Sequence, residues 1–148
     1  MTSTVSPTGD SSPLTPPPRL ADVRRHGNFR DIAGLPIISR AVVFAGLVHT
    51  SGMTGDPGSD IAEQTQQALD KIDALLVDVG ASRSSIVSAQ VWLADMSDFP
   101  AHNAVWDAWV DPANPPARAC VGAQLYHPEV LVEVRVVAVV LTAQDPQR

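Results

Sequence analysis

Apolar residues follow two different spacings along this chain, one typical of strands and one typical of helices. Residues 41–52 hold two short apolar runs on either side of Gly46, which predicts a β-hairpin. Apolar residues then recur at helical spacing from Asp60 to Gly80. Asp60 has the acidic Glu63 three residues later, as a helix cap requires, and Gly80 provides the stop. The pattern therefore predicts a hairpin followed by a long amphipathic helix.

The second half of the chain repeats strand and helix signals. A stretch of β-forming residues covers 85–93, and Ser97 to Pro100 opens a second helix that ends at Asp111 and Pro112. Two further strands are predicted at 115–123 and 130–141, whereas residues 24–30 read as a loop or a short edge strand and residues 52–58 as a loop. The predicted order is β-β-α-β-α-β-β.

This order favours an α+β fold in which both helices pack on one face of a mixed sheet. The last strand is apolar on both sides except at Glu133 and Arg135, which share a face because strand side chains alternate. A sheet this apolar, with no third layer in the sequence, needs a cover for its other face. We therefore expect a homo-oligomer.

Composition narrows the class of protein. The chain has 148 residues, 45% of them hydrophobic, and a formal net charge of -6, which fits one domain and disfavours a nucleic-acid partner. Cys120 is alone, so no intrachain disulfide forms and a reducing cytoplasm is expected. No apolar run reaches the ~20 residues that span a membrane. Residues 1–19, rich in Pro, Ser and Thr, are expected to be disordered, and residues 20–144 to form the domain.

The candidate chemistry centres on two charged residues that are predicted to lie in adjacent apolar strands. Arg118 and Glu133 are unfavourable in such strands unless they pair, bind a ligand or lie at a wet subunit boundary. Arg118 suits a carboxylate clamp, since a guanidinium binds a carboxylate with two parallel hydrogen bonds. Glu133 suits the activation of a water molecule. A structural salt bridge between the two residues explains Arg118 equally well at this point. For Glu133 the same salt bridge, or a solvated edge position, is favoured over the activation of water.

Other polar residues carry weaker signals. Cys120 points to the same strand face as Arg118, and either a reactive thiol or ordinary core is compatible with it. Ser51 and Gly52 predict a tight turn whose N–H groups can meet an anion. The histidines show no paired metal-ligand spacing, so no metal site is expected; they are His26, His49, His102 and His127. The three tryptophans are expected to fill the core or an interface. The alternative is that one of them lines a pocket.

Several short segments, taken in order, resemble the reactive intermediate deaminase (RidA/YjgF) family. The resemblance covers residues 37–140 and runs through residues 41–43, 48–52, 60–65, 93–99, 103–106, 116–121 and 132–134. It implies a chorismate-mutase-like fold, assembled as a trimer around a central barrel, with active sites between subunits. It also implies hydrolysis of 2-imino or enamine acids to 2-keto acids and ammonia, without metal or cofactor.

The resemblance assigns roles to particular residues. Arg118 would hold the substrate carboxylate and Glu133 the attacking water, while Ser51, Gly52, Asn103 and Cys120 would line the pocket. One segment departs from the family, which often has Pro-Tyr-Ser-Gln where this chain has residues 37–40, Ile-Ile-Ser-Arg. The tyrosine hydroxyl is therefore missing. Two alternatives follow from that departure: a trimer that only binds a small imino or keto acid, and a hydrolase specific for another imine or enamine.

Overall fold

The computed structural model describes residues 15–17, 19–28, 34 and 36–142. Most of the predicted disordered tail, residues 1–19, and the end of the predicted domain at residue 144 lie outside the described residues. The described elements, in chain order, are β1 (Arg24–Asn28), β2 (Ser39–Phe44), β3 (Leu47–Thr50), β4 (Met53–Thr54), α1 (Ile61–Val79), β5 (Ile86–Leu93), α2 (Phe99–Trp109), β6 (Ala117–Gly122) and β7 (Val132–Val139), with short 3-10 turns before β1, β5 and α2.

The strands form one mixed sheet in the order β1-β2-β3-β7-β5-β6, and β4 pairs with β7 beyond the end of β3. Strands β5 and β6 run parallel, and the other pairs are antiparallel. The predicted hairpin is confirmed: β2 and β3 are joined by Ala45 and Gly46, with φ angles of 50° and 78°. Two consecutive positive φ angles match the right-handed twist of the flanking strands.

One strand lies where the sequence predicts a loop, and a second decides between a loop and an edge strand. Met53 and Thr54 form β4 within the predicted loop at 52–58, because Met53 is buried and pairs with Val134 of β7. Residues 24–30 were predicted as a loop or a short edge strand, and residues 24–28 form the edge strand β1, which pairs with β2. Two glycines and a proline do mark a chain reversal after β4, but pairing with β7 extends the sheet past Gly52.

Both helices pack on one face of the sheet, as predicted. Asp60 caps α1 by accepting the N–H of Glu63 at 2.9 Å, and Gly80 ends the helix in the left-handed conformation with φ of 79°. The α1 face towards the sheet carries Leu69, Ile72 and Leu76, and it meets alternate residues of β7, namely Val132, Val134, Val136 and Ala138. This packing makes one apolar core between helices and sheet.

The opposite face of the sheet is only partly covered. A groove of about 510 Å³ runs across it, and its lining includes Gln90, Trp92, Val121, Arg135 and Val137. Alternation along β7 places Glu133 and Arg135 on this face, as predicted, because Val132 and Val134 are buried on the other. We refer to this surface as the open face.

Neither a membrane span nor a metal cluster is found in the described part of the chain. No helix there is long and apolar enough to cross a bilayer. No group of three or more histidine, cysteine, aspartate or glutamate side chains is gathered in a way that would hold a metal ion.

Candidate active site

Arg118 lies on the helix-covered face of β6 and is restrained by α2. Its Nη2 donates to Asn103 Oδ1 at 2.7 Å, and its Nη1 lies 3.4 Å from His102 Nε2. Its Cζ also lies 4.9 Å from the ring centroid of Trp106 and 5.9 Å from that of Phe99. A cation over aromatic faces is attracted by their electron density. One helix therefore holds the guanidinium from several directions.

The restrained guanidinium keeps donors free for a ligand. Arginine has five N–H donors and no acceptor, and the contacts with Asn103 and His102 engage two of the five. The other three N–H groups have no hydrogen-bond partner among the described residues, and they are enough for the two parallel hydrogen bonds of a carboxylate. Arg118 itself is only half-buried. The arrangement suits an anion anchor better than a group satisfied by the protein alone.

His102 is buried behind Arg118. Its exposed fraction is 0%, and its Nδ1 lies 3.1 Å from Thr65 Oγ1 of α1, a residue equally buried. Burial, followed by the nearby charge of Arg118, lowers the pKa of His102 from 6.5 to about 4. The imidazole is therefore neutral at neutral pH. A neutral ring beside a guanidinium can accept a hydrogen bond, whereas a charged one would repel it.

Glu133 occupies a different place, beside the break between β3 and β4. Both of these strands pair with β7, and Ser51 and Gly52 form the break between them. Gly52 lies so close to the Glu133 carboxyl that a Cβ at this position would overlap it. The hydroxyl of Ser51 is buried and has no hydrogen-bond partner among the described residues. The main chain at Gly52 thus lies directly beside the Glu133 carboxylate, and the unused Ser51 hydroxyl belongs to the preceding residue.

The two charged residues lie on opposite faces of the sheet. Arg118 is in register with Ala89 and then Val136, which are both buried under the helices, whereas Glu133 is in register with Trp92 on the open face. Strand β5 also separates their strands. The sequence placed them in adjacent strands, which is wrong. A salt bridge between them within one protomer is excluded by this geometry.

The predicted site residues therefore form two groups. Asn103 joins Arg118, and Ser51 and Gly52 join Glu133. Cys120 lies on the same face as Arg118 and packs partly against the core. Burial raises the pKa of its thiol, although Arg118 opposes the shift. A raised thiol pKa does not favour a nucleophile.

Sequence reasoning missed the support behind Arg118. Thr65 was assigned to the apolar side of α1, and His102 was considered only as a metal ligand. A hydroxyl on the buried side of a helix needs a polar partner, so Thr65 was a usable signal. Trp106 was expected to fill core or interface, and a tryptophan lining a pocket was the alternative; Trp106 is buried, yet its ring also faces Arg118.

Comparison with known proteins assigns this chain and its fold to a family. Residues 35–140 match the family model described as Endoribonuclease L-PSP. The chain belongs to this family. The predicted resemblance is thereby confirmed, since relatives within it carry the YjgF and RutC names.

Individual relatives agree with this assignment. The RutC family protein YoaB of Escherichia coli is 39% identical over 102 residues, which cover 69% of this chain and 90% of that protein. The 2-iminobutanoate/2-iminopropanoate deaminase of the same species is 29% identical over 104 residues, covering 69% of this chain and 81% of the enzyme. The crystal structure of NMB1025 from Neisseria meningitidis, of the YjgF protein family, superposes with a TM-score of 0.76 at 39% identity, covering 82% of this chain and 98% of that one.

Proposed function

We propose that the protein hydrolyses reactive 2-imino or enamine acids to 2-keto acids and ammonia. The observation that carries this proposal is the anchoring of Arg118 by Asn103 and the α2 aromatic rings, with three guanidinium N–H groups left for a carboxylate. The deaminase named above supports the reaction class, because its name specifies 2-imino acids.

The site is completed between subunits of a homotrimer. Since Arg118 and Glu133 lie on opposite faces of one protomer, a single substrate meets both only if Glu133 comes from the partner subunit. The groove on the open face, with exposed Val121 and Val139, provides apolar surface for such an assembly. Membership in a family whose solved members share this fold is compatible with it.

In the proposed mechanism Arg118 binds the substrate carboxylate and draws electron density from the adjacent imine carbon. Glu133 of the partner subunit holds a water molecule, takes one of its protons and directs the oxygen to that carbon. Glu133 passes that proton to the imine nitrogen, which gives the amino-alcohol. As the carbonyl forms, Glu133 takes the hydroxyl proton and delivers it to the nitrogen, so that the C–N bond breaks and ammonia departs. Positioning supplies most of the acceleration, because imines react readily with water.

The test generates 2-iminopropanoate or 2-iminobutanoate in the cuvette and follows its decay with an amine reagent that traps remaining imine. We expect faster decay with the wild-type protein and loss of that effect in Arg118→Ala. Arg118→Lys should recover little, because an ammonium keeps the charge without the planar fork. Asp107→Asn, at an exposed α2 position, is the matched control. Unchanged hydrolysis with the wild-type protein contradicts the proposal.

A second candidate is a trimer that binds a small 2-keto acid without turnover. It is favoured by the fact that the Arg118 group is complete within one protomer, whereas Glu133 is elsewhere. This candidate predicts saturable binding of 2-oxobutanoate by calorimetry, lost in Arg118→Ala but retained in Glu133→Gln, and no turnover.

A third candidate is a hydrolase specific for another imine or enamine. Here the aliphatic, exposed Ile37 and Ile38 stand where the family often has Pro-Tyr, so Ile38 replaces the tyrosine. A panel of imines of increasing side-chain size separates this candidate from the first. A preference for large imines, with little effect on 2-iminopropanoate, would support it.

A further inference from the structure

A chain of contacts links three elements behind the proposed carboxylate anchor. Thr65 of α1 meets the Nδ1 of His102, and the Nε2 of His102 meets the Nη1 of Arg118 on β6. Thr65 and His102 are both fully buried, whereas Arg118 is half-buried. This series of contacts therefore extends from the buried region between the helices to the half-buried guanidinium of Arg118.

The chemistry of these groups determines where the imidazole proton lies. A guanidinium donates and never accepts, so the Nε2 facing Arg118 carries the lone pair. The proton of the neutral ring is then on Nδ1, and it is donated to the Thr65 hydroxyl oxygen. The Thr65 hydroxyl can donate or accept, so Arg118 sets the tautomer, and Thr65 holds the ring in the orientation that Arg118 requires. Neutrality of the ring is consistent with the lowered pKa of His102.

Packing alone does not account for a histidine here. The ring centroid of His102 lies 6.5 Å from that of Trp106, which is the distance of an ordinary aromatic packing contact. An apolar side chain of similar size could make such a contact as well. A buried polar ring without partners would be unfavourable, and this ring uses both nitrogens. One partner is structural and the other is the anchor itself.

We propose that His102, oriented by Thr65, is a positioning residue that sets the direction of the Arg118 guanidinium. Asn103 holds Nη2 and His102 holds Nη1, so the two contacts together stop rotation of the fork about its long axis. The remaining N–H groups then point in a constant direction, and a carboxylate binds without reordering the side chain. Only the kinetic test of this inference rests on the proposed function, because it measures imine hydrolysis.

The kinetic test compares His102→Leu with His102→Gln. His102→Leu removes the acceptor, and we expect the KM for 2-iminopropanoate to rise about tenfold, with a smaller change in kcat, because carboxylate binding is weakened. In His102→Gln the amide oxygen can accept from Arg118, and KM should return to within about threefold of the wild-type value. Asp107→Asn should leave both constants unchanged. Equal KM values in wild type and His102→Leu overturn the proposal.

A second pair of variants addresses Thr65. Thr65→Val keeps the shape and removes the hydroxyl, while Thr65→Ser keeps the hydroxyl. We expect KM to rise about threefold in Thr65→Val and to stay near wild type in Thr65→Ser. Circular dichroism and light scattering confirm that each variant is folded and assembled. The same KM for both variants contradicts a role for the hydroxyl.

Nitrogen NMR of the imidazole tests the inference without any substrate. The expected spectrum at neutral pH shows His102 protonated on Nδ1 and bare on Nε2, with a mixture of tautomers in Arg118→Ala, where nothing requires a lone pair on Nε2. A ring protonated on Nε2 overturns the inference even if the protein is an active deaminase. Conversely, the protein can show the expected tautomer and an Arg118-dependent affinity for 2-oxobutanoate, and yet no turnover. That outcome refutes the proposed reaction and leaves the positioning role of His102 intact.

Discussion

Arg118 and Glu133 lie on opposite faces of one sheet, with strand β5 between their own strands. Two residues that act on one small substrate must come within a few ångströms of it. One protomer cannot bring them together, so the proposed reaction and the proposed assembly depend on each other.

Mixed oligomers test that dependence. We expect two variants to be inactive on their own, Arg118→Ala and Glu133→Gln. In the experiment the two variants are mixed, unfolded and refolded together. If every site takes Arg118 from one subunit and Glu133 from another, an equal mixture recovers about a quarter of the wild-type activity. The measurement is imine decay per mole of protomer. A mixture as inactive as its components shows that the two residues do not share a site across subunits.

Gly52 is expected to be required for activity and not for folding. In Gly52→Ala the new Cβ overlaps the Glu133 carboxyl, which must move away from its place beside residue 52. We expect a loss of at least about tenfold in kcat/KM, equivalent to ~1.4 kcal/mol of transition-state stabilisation. Thermal unfolding should change little, since a flexible carboxylate at a partly open surface can shift. Full activity in Gly52→Ala would show that the Glu133 position is unimportant.

Asp73 joins α1 to α2 and is expected to matter for stability alone. It accepts from Trp109 Nε1 at 3.0 Å and from Arg83 Nε at 2.8 Å, and Arg83 Nη1 also donates to the Trp109 carbonyl. Asp73→Ala should lower the free energy of unfolding by about 1–3 kcal/mol, because two donors lose a charged acceptor. Urea unfolding measures this effect. The exposed Asp78→Asn is the control and should stay within about 0.5 kcal/mol.

His102 makes stability depend on pH. Its pKa is about 4 in the folded protein and near 6.5 when exposed, so the unfolded state binds the extra proton between these values. The free energy of unfolding therefore falls as pH decreases from 6.5 towards 4. The contribution is about 2 kcal/mol between pH 7 and pH 5. Urea unfolding of wild type and His102→Gln at both pH values isolates it; the same pH dependence in both proteins would contradict the assignment.

Local patterns were sufficient for most elements. The α1 helix is specified by its own apolar spacing and by Asp60 and Gly80 at its ends, and the β2–β3 turn by Gly46. These features depend on neighbours within a few residues, so the sequence displays them directly. Strand β4 was missed because two residues carry no periodicity, and its pairing partner is about eighty residues away.

The amino-acid sequence by itself determined the α+β class and the order of its main elements. It also indicated the candidate binding and catalytic residues, including Arg118, Glu133 and Asn103. Alternation also put Glu133 and Arg135 on one face. Only the tertiary structure decided that β5 inserts between β6 and β7, and hence that Arg118 and Glu133 face apart. The same holds for His102 and Thr65, which meet across two helices. Strand order and helix packing arise from contacts between distant segments, and a pattern read along one segment contains no record of its partner.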